Sequence, residues 1–170
     1  MKELSIPVSE HKINIPKRLI LPLYSYTKGF YVYEKSGLNQ WNAGGRTRNL
    51  DEVYIPFPSF IKQDFDDFFP NRNEPFVVKL PNNSEISMKV CQDRGKALMS
   101  NPNQALGKWL LRDVLNIPHG KLVTYEMLQE IGIDSVIFEK AGNDYRLDFK
   151  KLGSFDEFVN NELLVDIDHY

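Results

Sequence analysis

Short runs of β-branched and aromatic residues, separated by turn residues, recur along most of the chain. They predict seven strands, at residues 19–23, 30–33, 53–57, 76–80, 86–91, 136–139 and 145–149. The alternation is clearest where Val53, Ile55 and Phe57 face one way, and Pro56 and Pro58 place that strand at an edge or a bulge. The pattern favours a mainly β fold, either a sandwich or an incomplete barrel.

Helical periodicity predicts four helices among these strands. Asn101 as the N-cap and Pro102 at the first helical position begin one helix. Its apolar face carries four residues, Leu106, Trp109, Leu110 and Val114. The others are predicted at residues 58–68, 125–131 and 154–164, with Thr124 capping the start of the third and Gly132 ending it. Because the helices do not alternate with the strands, the order argues against a parallel sheet and a dinucleotide-binding fold.

Length and composition are those of one ordinary globular domain, with 170 residues, 42% hydrophobic and 26% charged. We expect a linker or N-terminal arm at residues 1–18, one domain at 19–165 and a tail at 166–170. No apolar run approaches the ~20 residues of a membrane-spanning helix, and residues 1–10 lack the hydrophobic region of a signal peptide. The single cysteine, Cys91, excludes an internal disulfide, fits a reducing compartment such as the cytoplasm, and is expected in a buried strand.

Charge is unevenly distributed, although the whole chain carries a net charge of −2. Residues 28–48 hold four cations against Glu34, a net charge of +3, and residues 89–112 hold five cations against Asp93, a net charge of +4. We call these the first and second basic segments. Residues 49–75 carry −4 and residues 113–170 carry −7. Such a molecule can bind a polyanion on one face and repel it elsewhere, although solvated loops would produce the same charge pattern.

Residues 36–49 (SGLNQWNAGGRTRN) combine amide, hydroxyl and arginine side chains with three glycines. These side chains make forked hydrogen bonds to base edges and phosphates. Arg46 and Arg48 are the leading candidates for base readers, since arginine pairs with both acceptors of guanine and each such contact contributes about 1–3 kcal/mol of discrimination. The same residues could instead form a flexible surface loop in which Trp41 packs back on the barrel.

The second basic segment has a similar composition at residues 91–104 (CQDRGKALMSNPNQ). It leads directly into a predicted helix, whose N-terminal amides and dipole could hold a phosphate. Asn101 is better explained as the cap of that helix, whereas Arg94 and Lys96 have no evident structural role. Asp93 could accept a hydrogen bond from cytosine or simply hold Arg94 in place.

The sequence offers one weak catalytic motif. His119 and Lys121, followed by Glu126, loosely imitate the His-x-Lys signature of phospholipase D, which leaves a phosphodiesterase as an alternative function. The chain has no phosphate-binding loop, and Cys91 has no neighbouring histidine that could activate it.

Candidate metal ligands are scattered along the chain. The three histidines, His11, His119 and His169, are far apart in the sequence. The acidic residues Asp64, Asp66 and Asp67 are more typical of a solvated helix face than of a nuclease metal site. We therefore expect no metal and no cofactor.

Four stretches carry a family resemblance: residues 36–49, 52–56 (EVYIP), 89–93 (KVCQD) and 96–102 (KALMSNP). Together they resemble the C-terminal DNA-recognition domain of NgoFVII-type restriction endonucleases, relatives of BfiI and NgoAVII with phospholipase-D-like catalytic halves. The likeness spans about residues 19–158. It implies a B3-like pseudobarrel, the fold of plant transcription-factor DNA-binding domains, in which two protruding arms grip the major groove. The two basic segments coincide with those arms.

The resemblance implies a bacterial domain that reads a short site in double-stranded DNA and contributes no hydrolysis itself. The implied DNA-contacting residues are Lys28, Lys35, Asn39, Gln40, Trp41, Asn42, Arg46, Arg48 and Asn49 in the first arm, and Gln92, Asp93, Arg94, Lys96, Ser100, Asn101 and Asn103 in the second. The implied partners are duplex DNA and an N-terminal phospholipase-D-like nuclease domain, with no membrane. A protein-interaction module is a further alternative. Single-stranded RNA is disfavoured, because Trp41 is the one aromatic residue in residues 36–49 and 91–104.

Overall fold

The computed structural model describes residues 17–163, in which seven strands form one sheet. The strands are β1 (Lys17–Pro22), β2 (Ile55–Pro56), β3 (Phe76–Lys79), β4 (Glu85–Cys91), β5 (Ala97–Asn101), β6 (Ile133–Ala141) and β7 (Asp144–Lys151). Their order is β1-β6-β7-β3-β4-β5-β2, and neighbours are antiparallel except β3 and β7, which are parallel. The two end strands, β1 and β2, approach each other, so the sheet is nearly closed. The predicted mainly β pseudobarrel is confirmed.

Alternation along the strands separates the barrel interior from solvent. In β7, Tyr145 and Leu147 are buried while Arg146 and Asp148 are exposed. In β6, five consecutive residues are buried, because helices cover the outer face of this strand. Strand β2 lies at the end of the sheet, as Pro56 and Pro58 predict.

Within residues 17–163, four segments that contain α-helix accompany the sheet. They are α1 (Ser59–Asp64), α2 (Gln104–Gly107), which continues as a π-helix over Lys108–Val114, α3 (Tyr125–Ile131), and α4 (Ser154–Phe158), which continues as a π-helix over Val159–Leu163. Helix α3 begins as predicted, since Thr124 Oγ1 accepts a hydrogen bond from the Met127 amide (3.3 Å), and it ends at Gly132 with a φ of +93°. Within residues 17–163, none of the helices has the length and apolar character needed to cross a lipid bilayer.

One predicted strand does not form, and one observed strand is not predicted. Residues 30–33 are not a strand, because Gly29 and Phe30 both have positive φ and close a turn that leaves a single bridge between Ser25 and Tyr31. Strand β5 is absent from the sequence prediction, since Ser100 and Asn101 give it a loop-like composition. It forms because β4 and β2 hydrogen-bond to its two sides.

The predicted start of the long helix is wrong. Asn101 is the last residue of β5 and is exposed, so it does not cap the helix. The buried Ser100 takes a related role, since its Oγ accepts a hydrogen bond from the Leu106 amide (2.9 Å). The predicted apolar face is confirmed by the burial of Leu106, Trp109 and Leu110.

Domain ends lie partly outside the described residues. Strand β1 begins at Lys17, within the stretch predicted as a linker. The rest of that stretch, the tail at 166–170, His11 and His169 lie outside residues 17–163. Cys91 ends β4 and is buried as predicted, and its burial raises the pKa of the thiol.

Candidate nucleic-acid interface

The first predicted arm begins with a 3₁₀-helix at Gly37–Asn42 that packs on the barrel. Leu38 and Asn39 are buried, and Trp41 packs partly against the core. The Asn39 amide group donates to the carbonyls of Tyr33 and Val123 (both 2.9 Å) and accepts from the Val123 amide (2.9 Å). All of these bonds are internal, so Asn39 holds the segment in place and does not lie on a DNA-accessible surface.

Residues 43–49 form a loop that folds back onto one carboxylate. Glu52 is 1% exposed, and its Oε2 accepts from Arg46 Nη2 (2.8 Å) and Arg48 Nη1 (2.7 Å). Arg48 also donates to the carbonyls of Ala43 (3.1 Å) and Gly44 (3.2 Å), and its side chain is 14% exposed. The Arg46 side chain is 51% exposed. Arg48 therefore closes the loop, while Arg46 faces solvent.

The ends of this loop are also held by side chains. Asn49 Oδ1 accepts a hydrogen bond from the Asp51 amide (2.8 Å), which sets the turn before Glu52. Asn42 Nδ2 donates to the Glu34 carbonyl (3.0 Å). Gln40 and Asn42 are half-buried, whereas Asn49 is exposed.

Lys28 and Lys35 lie in the chain between β1 and the 3₁₀-helix, and both are exposed. The carboxylate of Glu34, next to Lys35, accepts a hydrogen bond from the Tyr31 hydroxyl, and this bond lowers the pKa of Glu34. A negative charge therefore stays beside Lys35 at neutral pH.

The second predicted arm is a tight, exposed turn at residues 92–96, between β4 and β5. Gln92, Arg94 and Gly95 have φ values of +69°, +63° and +63°, and the Gly95 amide donates to the Gln92 carbonyl (2.9 Å). The side chains of Gln92, Asp93, Arg94 and Lys96 are exposed. The turn therefore presents two cations, two polar side chains and a constrained backbone to solvent.

The remaining residues of the second arm lie in or beyond β5. Ser100 is buried and bonded within the protein, so it is not on the surface, whereas Asn101 is exposed. Asn103 Nδ2 lies 3.5 Å from Glu52 Oε1. Asn103 thus reaches the same carboxylate that binds Arg46.

The two basic segments meet on one side of the barrel. Ser36 and Gly37 from the first and Gln92 and Lys96 from the second line a single cavity of about 380 Å³. Glu52 is the second meeting point, since it contacts arginines of the first segment and an asparagine of the second.

Backbone hydrogen bonds on either side of β2 tie both segments to the barrel. The Tyr54 amide donates to the Gly37 carbonyl (3.2 Å), and the Phe57 amide donates to the Lys96 carbonyl (2.9 Å). The distance between the segments is therefore set by β2 and the residues on either side of it.

Two cations near the 92–96 turn were not predicted from the sequence. Arg72 Nη1 donates to the Gln92 carbonyl (3.2 Å). Lys62 lies beside Gly95, where its Cε is 3.0 Å from the position that a Cβ would occupy. Both belong to the acidic stretch at residues 49–75, so a charge count along the chain conceals them.

The catalytic motif considered from the sequence lies near another ion pair. Asp51 Oδ1 accepts from Arg112 Nε (2.6 Å), and His119 Nε2 is 3.4 Å from the same oxygen. Arg112 also donates to the carbonyls of Leu50 (2.7 Å) and Ile117 (2.6 Å), so it holds two loops together. Lys121 is exposed. In residues 17–163, no three His, Cys, Asp or Glu side chains are grouped as metal ligands would be.

A comparison with models of protein families identifies the family of this chain. A solved structure, titled as that of the hypothetical Arabidopsis thaliana protein At1g16640.1, aligns with a TM-score of 0.37 and 8% identity, covering 81% of this chain and 93% of that one. No curated protein sequence matches. Residues 13–142, well over half of the chain, match the family described as the NgoFVII C-terminal B3-like DNA-binding domain. The chain belongs to this family of B3-like DNA-binding domains.

Proposed function

We propose that this domain recognises a short, specific site in double-stranded DNA by placing its two basic segments in the major groove. The domain supplies recognition, and a phospholipase-D-like nuclease domain of the full-length restriction enzyme supplies hydrolysis. The family assignment supports DNA binding. The finer proposal depends on how the candidate side chains are arranged.

The convergence of the two basic segments is the observation that carries the proposal. Cations scattered over a surface would favour weak, non-specific attraction to a polyanion. Here two segments that are far apart in the sequence border one cavity and meet at Glu52. Such a surface can contact one stretch of duplex at two places, which supports a defined register on the DNA.

Arg46 has the donor geometry of a base reader. It uses Nη1 (3.2 Å) and Nη2 (2.8 Å) on the two carboxylate oxygens of Glu52. Among the described residues, no acceptor is bonded to its Nε. The Nε and the second Nη2 hydrogen therefore form an available fork of the kind that pairs with guanine O6 and N7. Glu52 holds that fork in one orientation.

The exposed cations Lys28, Lys35, Arg94 and Lys96 are proposed to contact phosphates. All four side chains are exposed. Lys96 lines the cavity between the two basic segments, and Lys28 and Lys35 are next in sequence to its lining residues Thr27 and Ser36. If all four neutralise a phosphate, the logarithm of the affinity should fall with the logarithm of the salt concentration with a slope of about −3.6. The acidic remainder of the chain would keep the other faces away from DNA.

The decisive experiment is a selection of bound duplexes from a random pool at two salt concentrations, followed by affinity measurements on the selected site. Arg46→Ala should relax the preference at one position of the site, with a loss of about 1–3 kcal/mol on the preferred sequence. Lys28→Ala should weaken all duplexes about equally and reduce the salt slope by about 0.9. Equal losses on all sequences for both variants would contradict the role of Arg46 as a reader.

The same material tests the alternative functions. Metal-independent nicking of the duplex that disappears in His119→Ala would identify a phosphodiesterase. Failure to bind any duplex even at low salt would leave a protein-interaction module as the remaining function.

A further inference from the structure

The cavity between the two basic segments has an aromatic lining. It is lined by four tyrosines, Tyr24, Tyr26, Tyr33 and Tyr54, together with proline and aliphatic residues. Gln92 and Lys96 add an amide and a cation. Its volume of about 380 Å³ lies in the range of small-ligand sites.

This lining matches the chemistry of a nucleobase. A flat heterocycle can stack on tyrosine rings, and its polar edge can hydrogen-bond to an amide such as that of Gln92. Tyr26 and Tyr33 are 37% and 39% exposed, so both rings are accessible to a ligand. Covering them would remove aromatic surface from water, which favours binding.

The rings are held in place by neighbours outside the cavity. Tyr26 packs T-shaped against Phe155 with ring centroids 5.1 Å apart and lies 5.3 Å from Phe60. Tyr33 packs T-shaped against Tyr31 at 5.2 Å. A ligand would therefore meet aromatic surfaces that are already ordered, which lowers the entropy lost on binding.

The position of the cavity indicates where the base would come from. Its lining includes Ser36, Gly37, Gln92 and Lys96, which belong to the proposed DNA-binding surface. A stacked base pair presents only its edges in the grooves, so a base must leave the stack before its face can meet a tyrosine ring. We propose that this cavity takes up one unstacked base of the bound duplex, an inference that rests on the proposed function.

The energetics point to a mispaired base as the preferred occupant. Extruding a base costs unstacking and unpairing, and this cost is lowest where the base is already mismatched. Stacking on the tyrosines offsets part of the remaining cost. A mismatch at the base pair that faces the cavity should therefore strengthen DNA binding. Mismatches at base pairs that a side chain such as Arg46 contacts should weaken it.

The test is a mismatch scan. Duplexes carrying the selected site, each with one mismatched pair at a different position, are titrated with the protein, and binding is followed by fluorescence anisotropy. At one position the mismatched duplex should bind about tenfold more tightly than the matched duplex. Tyr26→Ala and Tyr33→Ala should each remove this gain, so that each variant binds the mismatched and the matched duplex with affinities within about twofold of each other. Phe149→Ala, which removes a 43% exposed aromatic ring on β7, is the control and should keep the gain.

Each outcome separates this inference from the proposed function. If matched duplexes bind but no mismatch strengthens binding, or if the gain persists in both tyrosine variants, the base-binding cavity is rejected and the proposed function stands. If neither matched nor mismatched duplexes bind, the proposed function fails and the inference fails with it. Thermal unfolding of each variant establishes that a lost gain is not due to a loss of folding.

Discussion

Glu52 accepts hydrogen bonds from Arg46 at both of its carboxylate oxygens, with Nη1–Oε1 and Nη2–Oε2 distances of 3.2 Å and 2.8 Å. The carboxylate is buried while the arginine side chain is half exposed. This arrangement fixes the direction of a cation at the surface, and the buried carboxylate stays within the protein.

Glu52→Gln should separate orientation from charge in DNA binding. Glutamine has one carbonyl oxygen and no negative charge, so it cannot accept charge-assisted hydrogen bonds from both Nη atoms of Arg46. Arg46 then loses its fixed orientation, and discrimination between sequences should fall about tenfold. The net charge also rises by one, so affinity for non-specific duplex should increase. The measurement is the ratio of dissociation constants for the selected and a scrambled duplex.

Glu130→Gln is the matched control for that experiment. It makes the same change of charge at an exposed position of α3. If Glu130→Gln lowers discrimination between the selected and the scrambled duplex as much as Glu52→Gln does, the orientation of Arg46 is not the cause of the lost discrimination.

Asn39→Ala should destabilise the fold. The alanine leaves the Val123 amide and the carbonyls of Tyr33 and Val123 without their side-chain partner, and each unsatisfied buried group costs about 1–3 kcal/mol. We expect the free energy of unfolding in urea to fall by about 3 kcal/mol. The exposed Asn101→Ala should change it by less than about 0.5 kcal/mol. A neutral result for Asn39→Ala would contradict its structural role.

Gly107→Ala should also destabilise the protein, although alanine favours helices. A Cβ at this position would lie 1.8 Å from the Asp51 carbonyl oxygen, so the backbone beside Glu52 must shift. Overpacking of this kind costs about 3 kcal/mol. Gly44→Ala is the control, since a Cβ there meets nothing within 4 Å. Equal unfolding free energies for the two variants would show that helix α2 and residue 51 are not in close contact.

Tyr145→Phe should change how stability depends on alkaline pH. Burial raises the pKa of Tyr145 from 10.0 to about 12, and its hydroxyl donates to the Phe68 carbonyl (2.6 Å). Because the folded state holds this proton more tightly, the stabilisation is complete below pH 10 and is lost as pH rises towards 12. Urea unfolding from neutral pH to about pH 11 should show a steeper loss for wild type than for Tyr145→Phe. Parallel curves for the two proteins would contradict the raised pKa.

The β-rich character of the fold could be predicted from local pattern. Six of the seven predicted runs overlap observed strands, because alternating apolar positions report which side of a strand is buried. The cap of α3 was also predictable, since Thr124 bonds to an amide three residues away. Strand β5 could not be predicted in this way. Its five residues end in Ser100 and Asn101 and form a strand through pairing with β4 and β2 rather than through their own preference.

By itself, the sequence determined that this is a mainly β domain with two basic segments, and its motifs pointed to the family. Only the tertiary structure decided which side chains in those segments are available. Asn39 and Val123 are 84 residues apart in the chain, and no local spacing predicts that one binds the backbone of the other. Local spacing likewise does not predict that Gln92 and Lys96 complete the tyrosine-lined cavity, or that Asn103 reaches Glu52. Burial and hydrogen bonding between distant segments are set by how the barrel closes, which local spacing does not specify.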